Sequence, residues 1–256
     1  MNKLNQREVQ NLGFLLNFPF HWTGMQRRTS KRVWETRYVV KKMRIPEATV
    51  MRLAVYSRLL ENLQKRDIVT TSSGDIAEGA GVSPAQVRKD LAYFGEFGTR
   101  GVGYNVEELC GHVRRILGLN QKWPSVLVGA GKLGSALALY EGFNIRGFHI
   151  VGVFDVDPNP IGNRFGSIKV LPMEHLERVI KKEDVRIGII TVPAVAAQEV
   201  GERLVKAGVK AILNFSPHVI NLPADIIVRN VDFSLHLEVL AFNLTFELTE
   251  CEDVGV

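Results

Sequence analysis

A short apolar run, Ser125-Val126-Leu127-Val128, leads straight into Gly129-Ala130-Gly131-Lys132-Leu133-Gly134, and a second run, Ile150-Val151-Gly152-Val153-Phe154, ends on Asp155. Few features restrict a fold more. Val126 to Val128 read as a buried strand. Gly129 then permits a tight turn, Gly131 lets backbone approach a pyrophosphate, and Gly134 lets the following helix pack against the strand. That helix begins beneath the phosphates, where free backbone N–H groups and the positive end of its dipole hold an anion without a basic side chain. Asp155 stands about twenty residues past the last glycine, where a carboxylate accepts both ribose hydroxyls and repels a 2′-phosphate. The pattern is a dinucleotide fingerprint, Gly129 to Gly134 with Asp155, and it favours NAD(H) over NADP(H).

A chain of 256 residues can bury a sizeable core and divide into two domains. The net charge of +5 misleads until it is divided. Residues 1–43 carry nine Lys/Arg against two Asp/Glu, residues 44–124 eleven against nine, and residues 125–256 twelve against sixteen. The basic excess sits in the leader, so nucleic-acid binding has to be argued from a local patch. Cys110 and Cys251 are too few for a disulfide framework or a zinc site, which excludes those classes and suits a reducing cytoplasmic setting with no metal. No segment approaches the roughly 20 apolar residues of a membrane span. Leu12 to Phe20 is a poor signal sequence, because Glu8 precedes it and Asn17 and Pro19 interrupt it.

Residues 1–43 show no sustained period. They are either a basic arm that touches DNA or an unstructured extension upstream of a start at Met43, and the second reading is preferred. Residues 44–122 are expected to form a small helical domain. From Pro46, the apolar residues Val50, Leu53, Leu60 and Leu63 recur with helical spacing to about Lys65. A short helix from Ser73 to Gly79 and a turn at Gly81-Val82 follow. Ser83 then caps a third helix, Pro84 takes its first position, and Gln86 can reach back in a capping box. This is a helix-turn-helix. On its third helix Val87, Leu91 and Phe94 share one face, leaving Lys89 opposite, Gln86 and Tyr93 on one flank and Arg88 on the other. Phe97 to Tyr104, with three glycines around Arg100, suits a β-hairpin wing able to enter a minor groove. A fourth helix, about Glu107 to Leu117, leads to the nucleotide domain, residues 123–232.

Past Asp155, strand candidates at Val185 to Val192, Val209 to Phe215 and Asp225 to Val231 alternate with a helix from near Pro193 to before Gly208. The alternation predicts a mostly parallel sheet covered by helices. A last helix, residues 233–248, is apolar nearly all round and is expected to pack into a partner subunit, leaving 249–256 as a tail.

Two function classes compete. About 120 residues follow the fingerprint, enough for one nucleotide-binding fold and a helix but not for a separate substrate domain, which weakens an NAD-dependent dehydrogenase with an accessory helical domain. Tyr140 is followed four residues later by Asn144, not by the lysine of short-chain dehydrogenases. His218 and Tyr140 are the best remaining catalytic candidates, and the reading assigns no catalytic residue. The other class is a DNA-binding switch that reads the cofactor.

Four motifs in order carry a resemblance: Ser83-Pro84-Ala85-Gln86-Val87-Arg88-Lys89-Asp90-Leu91-Ala92-Tyr93-Phe94-Gly95, Gly98 to Tyr104, Gly129 to Tyr140, and Asn230-Val231-Asp232-Phe233. From about Arg44 to Leu248 the chain resembles the bacterial Rex family of redox-sensing repressors. The resemblance implies a winged helix-turn-helix domain joined to a Rossmann-like parallel-sheet domain, and a homodimer with a swapped C-terminal helix. It also implies a near-palindromic operator as partner and NADH and NAD+ as cofactors, with NADH releasing the DNA. Ser83, Gln86, Arg88, Lys89, Tyr93, Arg100 and Tyr104 are the expected DNA contacts. Gly129, Ala130, Gly131, Lys132, Leu133, Gly134, Tyr140 and Asp155 are expected at the cofactor, with Phe233 lining the pocket of the partner subunit. Arg58, Tyr140 and Asp232 are expected to form the switch, Asp232 reaching across the dimer.

Overall fold

The computed structural model describes residues 45–99 and 101–252. The basic leader and Arg100 of the expected wing lie outside the described residues.

The first domain is built on α1 (Glu47–Lys65), α2 (Ser73–Ala80), α3 (Pro84–Ala92) and α4 (Val106–Ile116). Each start has a local cause. Ser72 and Asp75 form a full capping box on α2, Ser83 accepts the Gln86 N–H ahead of Pro84, and Asn105 accepts the Glu108 N–H. Gly81 closes α2 in the left-handed region at φ 65°. Leu53, Tyr56 and Leu60 of α1 meet Ile76, Val87, Leu91, Leu109 and Val113 in one core. Val50 departs from the expected stripe and is exposed. The wing also departs from expectation. The strands that pair are β1 (Thr70–Thr71) and β2 (Tyr104–Asn105), and the glycine-rich loop closes on a single bridge between Thr99 and Gly103. Gly103 makes that approach possible, since a Cβ there would lie 2.5 Å from the Thr71 carbonyl oxygen.

The second domain is a seven-stranded sheet of β3 (Trp123–Val128), β4 (Phe148–Asp155), β5 (Arg164–Phe165), β6 (Ile168–Pro172), β7 (Ile187–Ile190), β8 (Ala211–Asn214) and β9 (Ile227–Asn230). Their order is β5-β6-β4-β3-β7-β8-β9. All pairs are parallel except the edge hairpin β5-β6. That hairpin, α6 (Glu141–Ile145) and α7 (Leu176–Lys182) are elements the sequence periodicity did not reveal. Alternation along β3 sends Val126 and Val128 to one face and Leu127 to the other. The first face is closed by α7 and α8 (Ala194–Ala207). The second is partly covered by α5 (Lys132–Ala138) and Phe143 of α6, and stays open around Ile187, Leu213 and Ile227. The last helix, α9 (Phe233–Glu252), runs past Leu248. It covers neither face: Leu235, Leu237, Val239, Leu240, Phe242 and Leu244 are all exposed.

Candidate nucleotide cleft and nucleic-acid interface

The chain leaves β3 for β4 on one side and returns to β7 on the other, so a crevice opens at the carboxyl ends of these strands. A cleft of about 810 Å³ occupies it, lined by Val128 to Lys132, Asp155 to Asp157, and Thr191 to Pro193. The three glycines differ in what surrounds them. Gly129 sits at φ 106°, where an added Cβ would lie 2.7 Å from the Thr191 carbonyl oxygen. At Gly134 a Cβ would come within 1.9 Å of the Gly129 oxygen, so no larger residue lets α5 sit this close. Gly131 has nothing within 4 Å of an added Cβ and faces open space, the room a ligand backbone contact needs. Thr191, which sequence reasoning missed, pins the turn by donating to the Val128 and Gly129 carbonyls at 3.1 and 2.8 Å. Asp155 stands beside the turn, but its carboxylate is already engaged. One oxygen accepts the Ala130 N–H at 2.5 Å, and the other accepts those of Val156 and Asp157 at 2.7 and 2.9 Å.

Tyr140 and Phe233 do not join this cleft. Tyr140 caps α6 and lines a separate cavity of about 500 Å³ between α1 and the open sheet face, together with Arg58, Arg146 and Arg229. Arg58 and Tyr140 thus line one cavity. Asp232 does not line that cavity in its own chain. It caps α9, accepting the Ser234 N–H at 2.9 Å and the Ser234 hydroxyl at 2.6 Å, bonds that hold its carboxyl below the ordinary value. Phe233 is exposed beside Phe215, ring centroids 6.0 Å apart. Leu133 is part-exposed outside the cleft lining, and His218 also lies off that lining.

In the helix-turn-helix, α3 presents Arg88 and Lys89 to solvent while Val87 and Leu91 are buried. Arg88 donates to Ser73 at 2.8 Å, which aims it along the α2 start. Two expectations are corrected here. Gln86 forms no capping box, because its amide reaches forward to donate to Asp90 at 2.9 Å. Tyr104 is a buried core residue at the base of the wing, packed over Gly98, and offers no ring to a groove. Asp90 is the residue the sequence did not announce. Fully buried, it accepts bonds from Thr49 at 3.0 Å, Arg52 at 2.6 and 2.8 Å, Tyr56 at 2.9 Å and Gln86, tying α1 to α3. Burial opposes its ionisation, yet the bonds from Arg52, Gln86, Tyr56 and Thr49 outweigh that cost and leave its carboxyl at about 2.

The two domains match two family models. One is described as "Putative DNA-binding protein N-terminus", over residues 44–92, and the other as "CoA binding domain", over residues 120–218. A redox-sensing transcriptional repressor Rex of Carboxydothermus hydrogenoformans is 62% identical over 205 residues, covering 80% of this chain and 99% of that relative. The chain belongs to the Rex family. A Rex of Streptomyces coelicolor is 50% identical over 199 residues, covering 78% of this chain and 77% of the relative. Among solved structures, RSP, a Rex-family repressor, matches with a TM-score of 0.76 at 38% identity over 84% of this chain and 100% of RSP. RSP in complex with β-NAD+ and operator DNA matches with a TM-score of 0.77 at 39% identity, covering 84% of this chain and 99% of RSP. The Rex match therefore runs through both domains, consistent with the winged-helix and Rossmann-like architecture read from the sequence.

Proposed function

We propose that this chain works as a homodimeric transcriptional repressor whose winged-helix domain holds a near-palindromic operator and whose cleft binds NADH or NAD+, NADH releasing the DNA. One observation carries the reading: the relative RSP, similar across both domains, has been solved with β-NAD+ and operator DNA together and, separately, with β-NADH.

The residues fit these ligands. Gly131 leaves room for a pyrophosphate, and the first backbone N–H groups of α5 have no intrahelical acceptor by position. Asp155 holds the turn and puts negative charge where a 2′-phosphate would come, which supports preference for NADH over NADPH. NAD+ carries a cationic ring and NADH a neutral one, and a buried cationic ring must be paired or stay wet, so the cofactor supplies the charge difference a switch reads. Lys89 is assigned to base edges and Arg88 to phosphates. With its amide committed to Asp90, Gln86 helps hold that carboxylate in place within α3. The exposed apolar α9 is assigned to the open cavity of a second copy, where its Asp232 would meet Arg58 and Tyr140 of the partner.

A labelled operator titrated with the protein in the presence of NADH and of NAD+ separately tests the proposal. Lower affinity with NADH than with NAD+ is expected. Equal affinity under both nucleotides overturns it.

A further inference from the structure

Glu61, in the last turn of α1, is the acceptor for two guanidinium groups from different domains. Its Oε1 takes Arg114 of α4 at 2.7 Å and Arg146 at 2.9 Å, and Ser57 one turn earlier donates to the same oxygen at 3.2 Å. Arg146 is the residue that ends α6, and it also reaches Ser57 at 3.5 Å. The pair is shielded, with Arg146 19% and Glu61 22% exposed. That distinguishes it from another tie between the domains among the described residues, Glu47 of α1 to Arg229 of β9, in which both side chains are half-exposed and an ion pair contributes little.

The position of Arg146 matters more than its strength. From Gly131 the chain runs through α5 to Tyr140 and through α6 to Arg146, so one short stretch links the glycine turn of the cleft to α1. On the α1 side, Thr49, Arg52 and Tyr56 hold Asp90 of the recognition helix. α1 is therefore fastened to the nucleotide domain through Glu61 and to α3 through Asp90. A displacement of α6 has a direct mechanical route to the recognition helix within a single subunit.

We propose that the Glu61–Arg146 pair is a strut within each subunit, positioning α1 so that the nucleotide state at the cleft is transmitted to the DNA-reading helix. The proposal rests on the NADH-responsive reading above. A ligand moves a two-state equilibrium only by its differential affinity, and the two sites share that difference only while the body between them moves as a unit. Without the strut, each domain keeps its own ligand but the coupling falls. Arg114 shares the carboxylate from within the DNA-binding domain, so its loss leaves the link between domains in place.

The test uses the full-length dimer, operator anisotropy across an NADH series, and NADH affinity measured separately by nicotinamide fluorescence. For Arg146→Gln, operator affinity without NADH and NADH affinity without DNA are expected within about threefold of the wild type, while the NADH-induced loss of operator affinity shrinks about tenfold or more. Arg114→Gln is expected to keep the wild-type response. An undiminished response in Arg146→Gln, or an equal loss in Arg114→Gln, overturns the strut. Should Arg146→Gln fold poorly, Glu61→Gln carries the same test, since it keeps shape and removes charge; undiminished coupling there also overturns the proposal. A wild type that ignores NADH defeats the underlying reading instead, and that outcome is visible before any variant is made.

Discussion

Two aspartates fasten the two halves of this molecule in opposite ways. Asp90 is fully buried in the DNA-binding domain and satisfied by side chains, three of them on α1 at separations of 34 to 41 residues. Asp155 is half-buried at the mouth of the cleft and satisfied by backbone N–H groups of Ala130, Val156 and Asp157. The first is a knot between helices, whose loss leaves a guanidinium, a phenol and a hydroxyl without their shared acceptor. The second is a clasp on a turn that glycine geometry and Thr191 already hold. Equal chemistry thus locks helices together in one domain and a backbone turn in the other.

The sharpest way to break that contrast is Asp90→Ala. Removing one member of a buried charged cluster leaves the others unsatisfied, and about 3 kcal/mol of stability is expected to go, since Arg52 still reaches solvent. Urea unfolding should report the loss and operator binding should fail, while NADH fluorescence titration remains close to wild type. Simultaneous loss of NADH binding would show that the domains do not separate as described. A smaller effect follows from pH. The Asp90 carboxyl sits at about 2 in the folded chain against an ordinary 3.8. Its contribution is therefore present above about pH 4 and is lost as pH falls toward 2, by about 2 kcal/mol. Acid unfolding followed by circular dichroism should be steeper over that window in the wild type than in Asp90→Asn. Parallel curves would mean that the cluster does not hold the ionised form. The smallest effect is expected at the clasp: Asp155→Ala should weaken NADH by about 1 kcal/mol, narrow the preference for NADH over NADPH, and leave urea unfolding of the DNA-binding domain unchanged. Calorimetry with both nucleotides decides it, and an unaltered preference would remove Asp155 from discrimination.

The same contrast explains what the sequence could reveal. Gly129, Gly131, Gly134 and Asp155 were legible because they report backbone geometry, and backbone geometry repeats at fixed spacing. The caps at Ser83 and Gly208 were legible for the same reason. Asp90 was not, because nothing local marks an aspartate on a helix as the acceptor for three residues of another helix. Gln86 was misread for a related reason: the local rule offered a capping box, and the tertiary acceptor Asp90 took its amide instead. Tyr104 looked like a groove contact in a glycine-rich loop, but pairing of β1 with β2 turns its ring into the core. The edge hairpin β5-β6 is too short to print a period. The all-round apolarity of α9 is plain in the sequence, whereas the cavity with Arg58, Tyr140 and Arg146 needed coordinates, because its walls come from α1, α6 and five strands.

The exposed α9 has a genetic consequence. If each subunit completes its neighbour, damage to the helix of one chain is felt in the cavity of the other. A chain with a defective helix and a chain with a defective cavity, made in the same cell, would then assemble mixed pairs in which one half is whole and the other carries both faults. Whether such a pair still represses depends on whether one sound half suffices on a two-sided operator. A defective copy of this protein would accordingly act on the intact copies it pairs with, and its phenotype would follow the ratio of the two gene products.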